Sequence, residues 1–176
     1  MTTISETIRE ALLTALHAKG VIDMPMSECP DVEALWESIA EEYLPDGLRE
    51  YGQYPNVSLG WMMFIGMAVA KRWDTDWDTY ADQPNKYATL RDVRGYDYMD
   101  EYIIEEVLQL DADTQKHISA LVADTAARTD SILRHSPIEA GTKEAFQAYV
   151  AALHQLYLMG MAVQLFYMGY RMTKVE

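Results

Sequence analysis

Apolar residues recur with the period of an α-helix through most of this chain, and no stretch alternates with the period of a β-strand. The pattern predicts helices at about 5–19, 31–43, 56–73, 85–94, 97–109 and 111–134, and a last helix from 136 or 142 to 172. We therefore predict an all-α protein. It should be a single-domain bundle over residues 1–176, built from six to seven helices.

Two of these helices, at 58–73 and 142–172, are apolar on every face, which is typical of helices buried at the centre of a bundle. Both contain the sequence Gly-Met-Ala-Val, at 66–69 and again at 160–163. Small residues on a buried helix let a second helix approach closely. We expect these two helices to form the core and to pack against each other.

Helix boundaries are marked by local start and stop signals, and Asp111 or Asp113 is expected to cap the start of the helix 111–134. Thr3 and Glu6 have the spacing of a capping box, and Gly20 supplies a left-handed stop for the first helix. Pro45 and the Asp-Gly pair after it are expected to end the second helix. Ser136, followed by Pro-Ile-Glu, combines three start signals in four residues and predicts the beginning of a helix.

Composition narrows the classes of function. The net charge is −14, from 28 acidic and 14 basic residues, which argues against binding to nucleic acids or to anionic membranes. Residues 151–170 are long enough to cross a bilayer, but His154, Gln155 and Gln164 favour a core helix instead. Cys29 is the only cysteine and the amino terminus lacks a signal-peptide pattern, so we expect a cytoplasmic protein.

Carboxylates at Asp97, Glu101 and Glu105 are spaced to share one stripe of the predicted helix 97–109. Such a stripe could hold Mg²⁺ in a metal-dependent hydrolase, provided that acids from a second helix meet it; the alternative is a solvated acidic face. Asp74 begins an alternating aspartate run like that of a calcium loop, but the positions that need glycine and glutamate hold Thr79 and Asn85. No nucleotide or nucleophile motif occurs in the sequence, and we expect no cofactor.

Aromatic residues beside acids suit a surface that binds a protein partner, because rings supply contact area and charge guides association. Two segments have this character: 96–106, with Tyr96, Tyr98, Asp100 and Glu101, and 73–80, with Trp73, Trp77 and Tyr80. The main hypothesis is therefore a non-enzymatic interaction module that binds another protein, with a basic protein as one candidate, or a second copy of itself. A pocket for an apolar ligand between the methionine- and tyrosine-rich helices is the other non-enzymatic alternative.

Arg91 and Arg94 stand one helical turn apart near the end of a predicted helix. They could clamp an anion. They could equally form ion pairs with acids nearby in the sequence, such as Asp92, Asp97 or Asp100.

Overall fold

The computed structural model describes residues 2–172, and in that range the chain forms helices and no strands, which confirms the all-α class. The helices are α1 (Ile4–Ala18), α2 (Pro30–Glu33), α3 (Trp36–Tyr51), α4 (Pro55–Ala81), α5 (Lys86–Arg91), α6 (Met99–Tyr102), α7 (Ala112–His135) and α8 (Lys143–Tyr167). A 3₁₀ turn at Tyr96–Tyr98 precedes α6, and a π-helical turn at Ile103–Val107 follows it.

Helices α4 and α8 form the centre of the protein, as their apolar sequences predict. They run in the same direction: Ser58 meets Tyr149 near their starts, and Asp74 accepts a hydrogen bond from Tyr170 beyond the end of α8. α1 packs on α8, while α3 and α7 pack on α4. Buried apolar side chains from all eight helices join one continuous core.

The repeated Gly-Met-Ala-Val sequence marks the crossing of α4 and α8. A Cβ added at Gly66 would overlap the carbonyl oxygen of Tyr157, three residues before Gly160. A Cβ added at Gly160 would overlap the carbonyl oxygen of Met63, three residues before Gly66. The two backbones therefore touch reciprocally, and the interface between α4 and α8 is filled rather than open to a ligand.

Helix α8 is long and apolar enough to cross a membrane by length and composition, with a mean hydropathy of 1.2 in its most apolar window. However, 78% of that window is buried inside the protein, where it packs on α4 and α1. This burial is what the core helix of a bundle requires.

Three of the predicted boundary signals are present in the structure. Thr3 and Glu6 form both hydrogen bonds of the capping box, and Gly20 is left-handed with φ of +72°. Asp111 accepts a hydrogen bond from Thr114 N at 2.8 Å and caps α7. These interactions lie within four residues of chain, so the local sequence suffices to specify them.

The predicted stop at Pro45 is wrong, because α3 continues through it to Tyr51. Tertiary contacts hold the helix together beyond the proline. Asp46 accepts hydrogen bonds from Tyr87 Oη at 2.7 Å and from Arg91 at 3.0 Å, both on α5. Gly47 lies against the ring of Tyr43, where a Cβ would not fit.

The predicted start at Ser136 is also wrong. Its hydroxyl donates to Leu133 O at 2.8 Å and so helps to end α7 instead of opening α8. The last helix begins at Lys143, with Thr142 as its N-cap, which is the other start that the sequence allowed. It ends at Tyr167, five residues earlier than the predicted 172.

Candidate functional site

The segment 95–108 is not the continuous helix that its pattern predicts. Gly95, with φ of +86°, allows the chain to enter the 3₁₀ helix Tyr96–Tyr98. The short helix α6 follows and then widens into the π-helix Ile103–Val107. Trp61 on α4 holds the start of the segment by donating from Nε1 to Tyr96 O at 2.7 Å. Such π turns are rare and occur often at functional sites.

The candidate metal ligands Asp97, Glu101 and Glu105 do not come together as a site. Glu105 forms an ion pair with Arg94 at 3.1 Å, and all three side chains are exposed. Among residues 2–172, no three histidine, cysteine, aspartate or glutamate side chains gather closely enough to hold a metal ion. The structure thus lacks the ligand set that the metal-dependent hydrolase requires in this part of the chain.

Two clefts meet beside this segment, and we call them together the Asp100 groove. The first, of about 500 Å³, has an acidic wall made of Asp100, Glu101 and Glu105. The second, of about 270 Å³, is lined by Trp61 and Phe64 of α4. Asp100 and Ser119 line both clefts, so the acidic end and the apolar end are continuous.

The floor of the Asp100 groove is one face of α7. Its lining residues from this helix recur at the spacing that places side chains on a single helical face, namely Ala112, Gln115, Lys116, Ser119, Val122 and Ala123. After Ala112 they change from polar, at 115–119, to apolar, at 122–123, in step with the walls. From 112 to 123 the face is about 16 Å long, at 1.5 Å per residue.

Asp100 is the half-buried carboxylate at the junction of the two clefts. Burial raises the pKa of Asp100 above its usual value, and the nearby negative charge of Glu101 raises it further. Lys116 supplies positive charge to the lining, and neither Asp100 nor Glu101 forms an ion pair within residues 2–172. A cation entering the groove would therefore meet carboxylates that are not already neutralised.

The aromatic candidates in segment 73–80 are less exposed than a docking surface needs. Tyr80 is only 7% exposed, so its assignment to the surface is wrong. Trp73 and Trp77 are partly buried against the core, and Trp73 donates from Nε1 to Asp31 at 3.1 Å. The segment continues α4 to Ala81, and Lys86 of α5 lies over the ring of Tyr80, 5.2 Å from its centroid.

In segment 96–106, Tyr96 and Tyr98 have different surroundings. Tyr96 is half-buried, and its hydroxyl lies 3.0 Å from that of Tyr43. Tyr98 is 58% exposed and stands two residues before Asp100, the first residue of the acidic wall. Of the aromatic candidates, Tyr98 thus has the largest free surface.

Arg91 and Arg94 are both engaged in ion pairs. Arg91 pairs with Asp92 at 2.8 Å and with Asp46 at 3.0 Å, while Arg94 pairs with Glu105 and Glu106. The structure therefore contains the ion-pair network and not an open anion clamp. Asp46 could not be anticipated as a partner because it lies 45 residues away in the sequence.

Most lining residues of the groove were not predicted from the sequence, among them Trp61, Phe64, Lys116 and Ser119. Trp61 and Phe64 belong to an apolar helix in which nothing distinguishes a groove-facing ring from a core ring. The polar-to-apolar change along one face of α7 was a usable signal, since the spacing of its residues can be read from the sequence. Comparison of the chain with protein-family models, with curated protein sequences and with solved structures found no match.

Proposed function

We propose that this protein is a non-enzymatic binding module that holds a basic, amphipathic segment of a partner protein in the Asp100 groove. The observation that carries the proposal is the continuity of an acidic cleft with an apolar cleft at a half-buried carboxylate. A segment with lysine or arginine at one end and an apolar side chain at the other would be complementary to both.

The charges favour a basic partner in two ways. Glu101 and Asp100 offer direct partners for a cation in the groove, and the net charge of −14 attracts a basic protein over longer distances. The same net charge disfavours a second copy of this chain as the occupant. We therefore prefer a different protein to self-association.

The size of the groove limits the length of the bound segment. A floor of about 16 Å accommodates about three turns of a helix, or about five residues of extended chain. Trp61 and Phe64 would contact one apolar anchor of the segment, and the cations would lie about two turns away along it.

The experiment is fluorescence anisotropy with a labelled eleven-residue peptide that carries arginines at one end and a leucine or phenylalanine at the other. We expect Asp100→Asn to weaken binding about tenfold and Glu101→Gln about threefold. Glu139→Gln removes the same charge from an exposed position outside the groove and should change affinity less than about twofold. Equal losses in all three variants would show attraction by net charge alone and would contradict a site in the groove.

The raised pKa of Asp100 leads us to expect that peptide binding depends on pH. Because its pKa is raised in the free protein, a cation should bind more tightly as the pH rises and the carboxylate ionises. We expect the affinity for the peptide to increase between about pH 4 and pH 7 in the wild type and to change less in Asp100→Asn. A pH profile unaltered by the substitution would exclude Asp100 as the titrating group.

The effect of Asp100→Asn on stability should have the opposite sign to its effect on binding. A carboxylate whose pKa is raised by folding destabilises the folded state once the pH exceeds its unfolded value, near 4. The asparagine variant should therefore be at least as stable as the wild type at pH 7 in chemical denaturation. A variant that both unfolds more easily and binds less well would indicate a structural role instead.

A further inference from the structure

A further cleft, separate from the Asp100 groove, lies at a break in helix α4. Asp76 leaves the helical conformation, with φ of −161° and ψ of 77°, and the chain resumes helical hydrogen bonding to Ala81. The break opens a cleft of about 360 Å³ between the end of α4, α5 and α6, which we call the Arg72 cleft. Polar side chains dominate its lining: Arg72, Asp76, Thr79, Tyr80, Gln83 and Tyr102.

Opposite charges face the Arg72 cleft without neutralising each other. Arg72 and Asp76 stand four residues apart, a spacing that allows an ion pair on a regular helix. Here they form no ion pair: the backbone departs from the helix at Asp76, and the Asp76 side chain is exposed at the edge of the cleft. The side chain of Arg72 forms no hydrogen bond or ion pair within residues 2–172, and that of Asp76 accepts only a long hydrogen bond, 3.4 Å, from Thr79 N.

Tyr80 adds a hydroxyl group that also lacks a protein partner within the described residues. Its side chain is 7% exposed, it lines the Arg72 cleft, and its hydroxyl forms no hydrogen bond within the described residues. Burial raises the pKa of Tyr80, while the charge of Arg72 lowers it, so the two groups lie near each other. The hydroxyl oxygen itself is accessible to solvent, so it can donate a hydrogen bond to a ligand in the cleft.

We propose that the Arg72 cleft binds a free α-amino acid. The carboxylate of the ligand would pair with the guanidinium of Arg72 and accept a hydrogen bond from Tyr80, and its ammonium group would pair with Asp76. A zwitterion fits because it satisfies both uncompensated charges, whereas a simple anion would leave Asp76 unpaired and a simple cation would leave Arg72 unpaired. The side chain of the ligand would lie against Leu90 and the ring of Tyr102.

The dimensions agree with this class of ligand. A volume of about 360 Å³ is at the lower end of the range of small-molecule sites, about 300–1,000 Å³, which suits a molecule of a few carbon atoms. The cleft is also independent of the Asp100 groove, since the two have no lining residue in common.

The test uses the full chain and isothermal titration calorimetry with the twenty free amino acids, each up to about 10 mM. We expect at least one to bind with a Kd below about 1 mM, and its N-acetyl and carboxamide derivatives to bind at least about tenfold more weakly. If no free amino acid binds, or if the blocked derivatives bind equally well, the proposal is wrong.

Substitutions then test whether the amino acid binds in the Arg72 cleft. Arg72→Gln and Asp76→Asn should each weaken binding by about tenfold or more. Lys71→Gln and Asp78→Asn make the same charge changes at neighbouring positions outside the cleft, where the side chains lack ion pairs, and should leave the Kd within about twofold. Wild-type affinity in Arg72→Gln would overturn the assignment.

Asp76→Asn could also disturb the helix break, so one measurement avoids substitution there. The α-hydroxy acid that matches the best amino acid lacks the ammonium group but keeps the carboxylate and side chain. The wild-type protein should bind it at least about tenfold more weakly than the amino acid. Equal binding of the two compounds would remove the proposed role of Asp76.

Discussion

The crossing of α4 and α8 at Gly66 and Gly160 makes a quantitative prediction about stability. An alanine Cβ at Gly66 would lie 3.0 Å from the carbonyl carbon of Tyr157 and 3.1 Å from Met161 N, and would overlap the Tyr157 oxygen. At Gly160 the corresponding separations are 3.0 Å and 3.2 Å, to atoms of the α4 backbone. Helix backbone cannot rotate aside as a side chain can, so each methyl group must push the two helices apart.

The cost can be estimated from known effects. Overpacking a core costs about 1–3 kcal/mol, and the upper end applies here because the atoms in contact are backbone. Alanine recovers about 1 kcal/mol through its higher helix propensity, which leaves a net loss of about 2 kcal/mol. For a chain of this length, that corresponds to a fall in Tm of about 4–8 °C. The double variant should lose clearly less than twice this amount, since one separation of the helices accommodates both methyl groups.

The assay is denaturant unfolding followed by circular dichroism, with Gly52→Ala as the matched control. Gly52 has helical angles, φ −66° and ψ −22°, and a Cβ there would come no closer than 3.6 Å to Arg49 O. That variant should be unchanged or more stable by about 0.5 kcal/mol. The reasoning would be refuted if Gly66→Ala or Gly160→Ala were as stable as Gly52→Ala, or if the losses in the double variant simply added.

Two substitutions test polar contacts that α3 makes with α4 and α5. Tyr43→Phe removes a fully buried hydroxyl that donates to an α4 carbonyl at 2.6 Å, and should cost about 1–3 kcal/mol in denaturant unfolding. Tyr98→Phe, at an exposed position, should be neutral, and equal stability of the two variants would contradict this reading. Burial raises the pKa of Asp46, but hydrogen bonds from Tyr87 and Arg91 outweigh it, so the pKa is lowered. Stability from this carboxylate is thus present above about pH 4 and lost as the pH falls through its folded pKa; Asp46→Asn should flatten the unfolding curve between about pH 5 and pH 2, and a parallel curve would count against it.

The parts of the fold that the sequence predicted are those specified by nearby residues or by bulk apolar character. The caps at Thr3 and Asp111 act within one turn of helix, and the two wholly apolar helices must be central because no face of either can be left in water. The predicted helix end at Pro45 and the predicted helix start at Ser136 were wrong because each residue is also compatible with a different role at its position. In one case long-range bonds to Asp46 keep the helix intact, and in the other the hydroxyl turns back to cap the preceding helix.

The candidate sites were less accessible to sequence reasoning. Asp100 and Glu101 were predicted as partner-binding residues because acidic and aromatic residues occur together in segment 96–106. The structure places both on the wall of a groove. The rest of that groove comes from α4 and α7, whose relative position no local pattern specifies. The Arg72 cleft depends on a helix break in a segment whose aspartates and threonines resemble an ordinary solvated terminus.

By itself, the sequence determined the helical class, the two central helices, the net charge of −14 and the caps, because periodicity, composition and short-range hydrogen bonds do not depend on tertiary contacts. Tertiary structure alone decided that Gly66 and Gly160 meet, that Arg91 and Arg94 are neutralised, and that α3 and α4 continue through their apparent stops. It also decided which polar groups remain unpaired. Pairing depends on which residues from distant parts of the chain come into contact, and that is settled only when the helices pack.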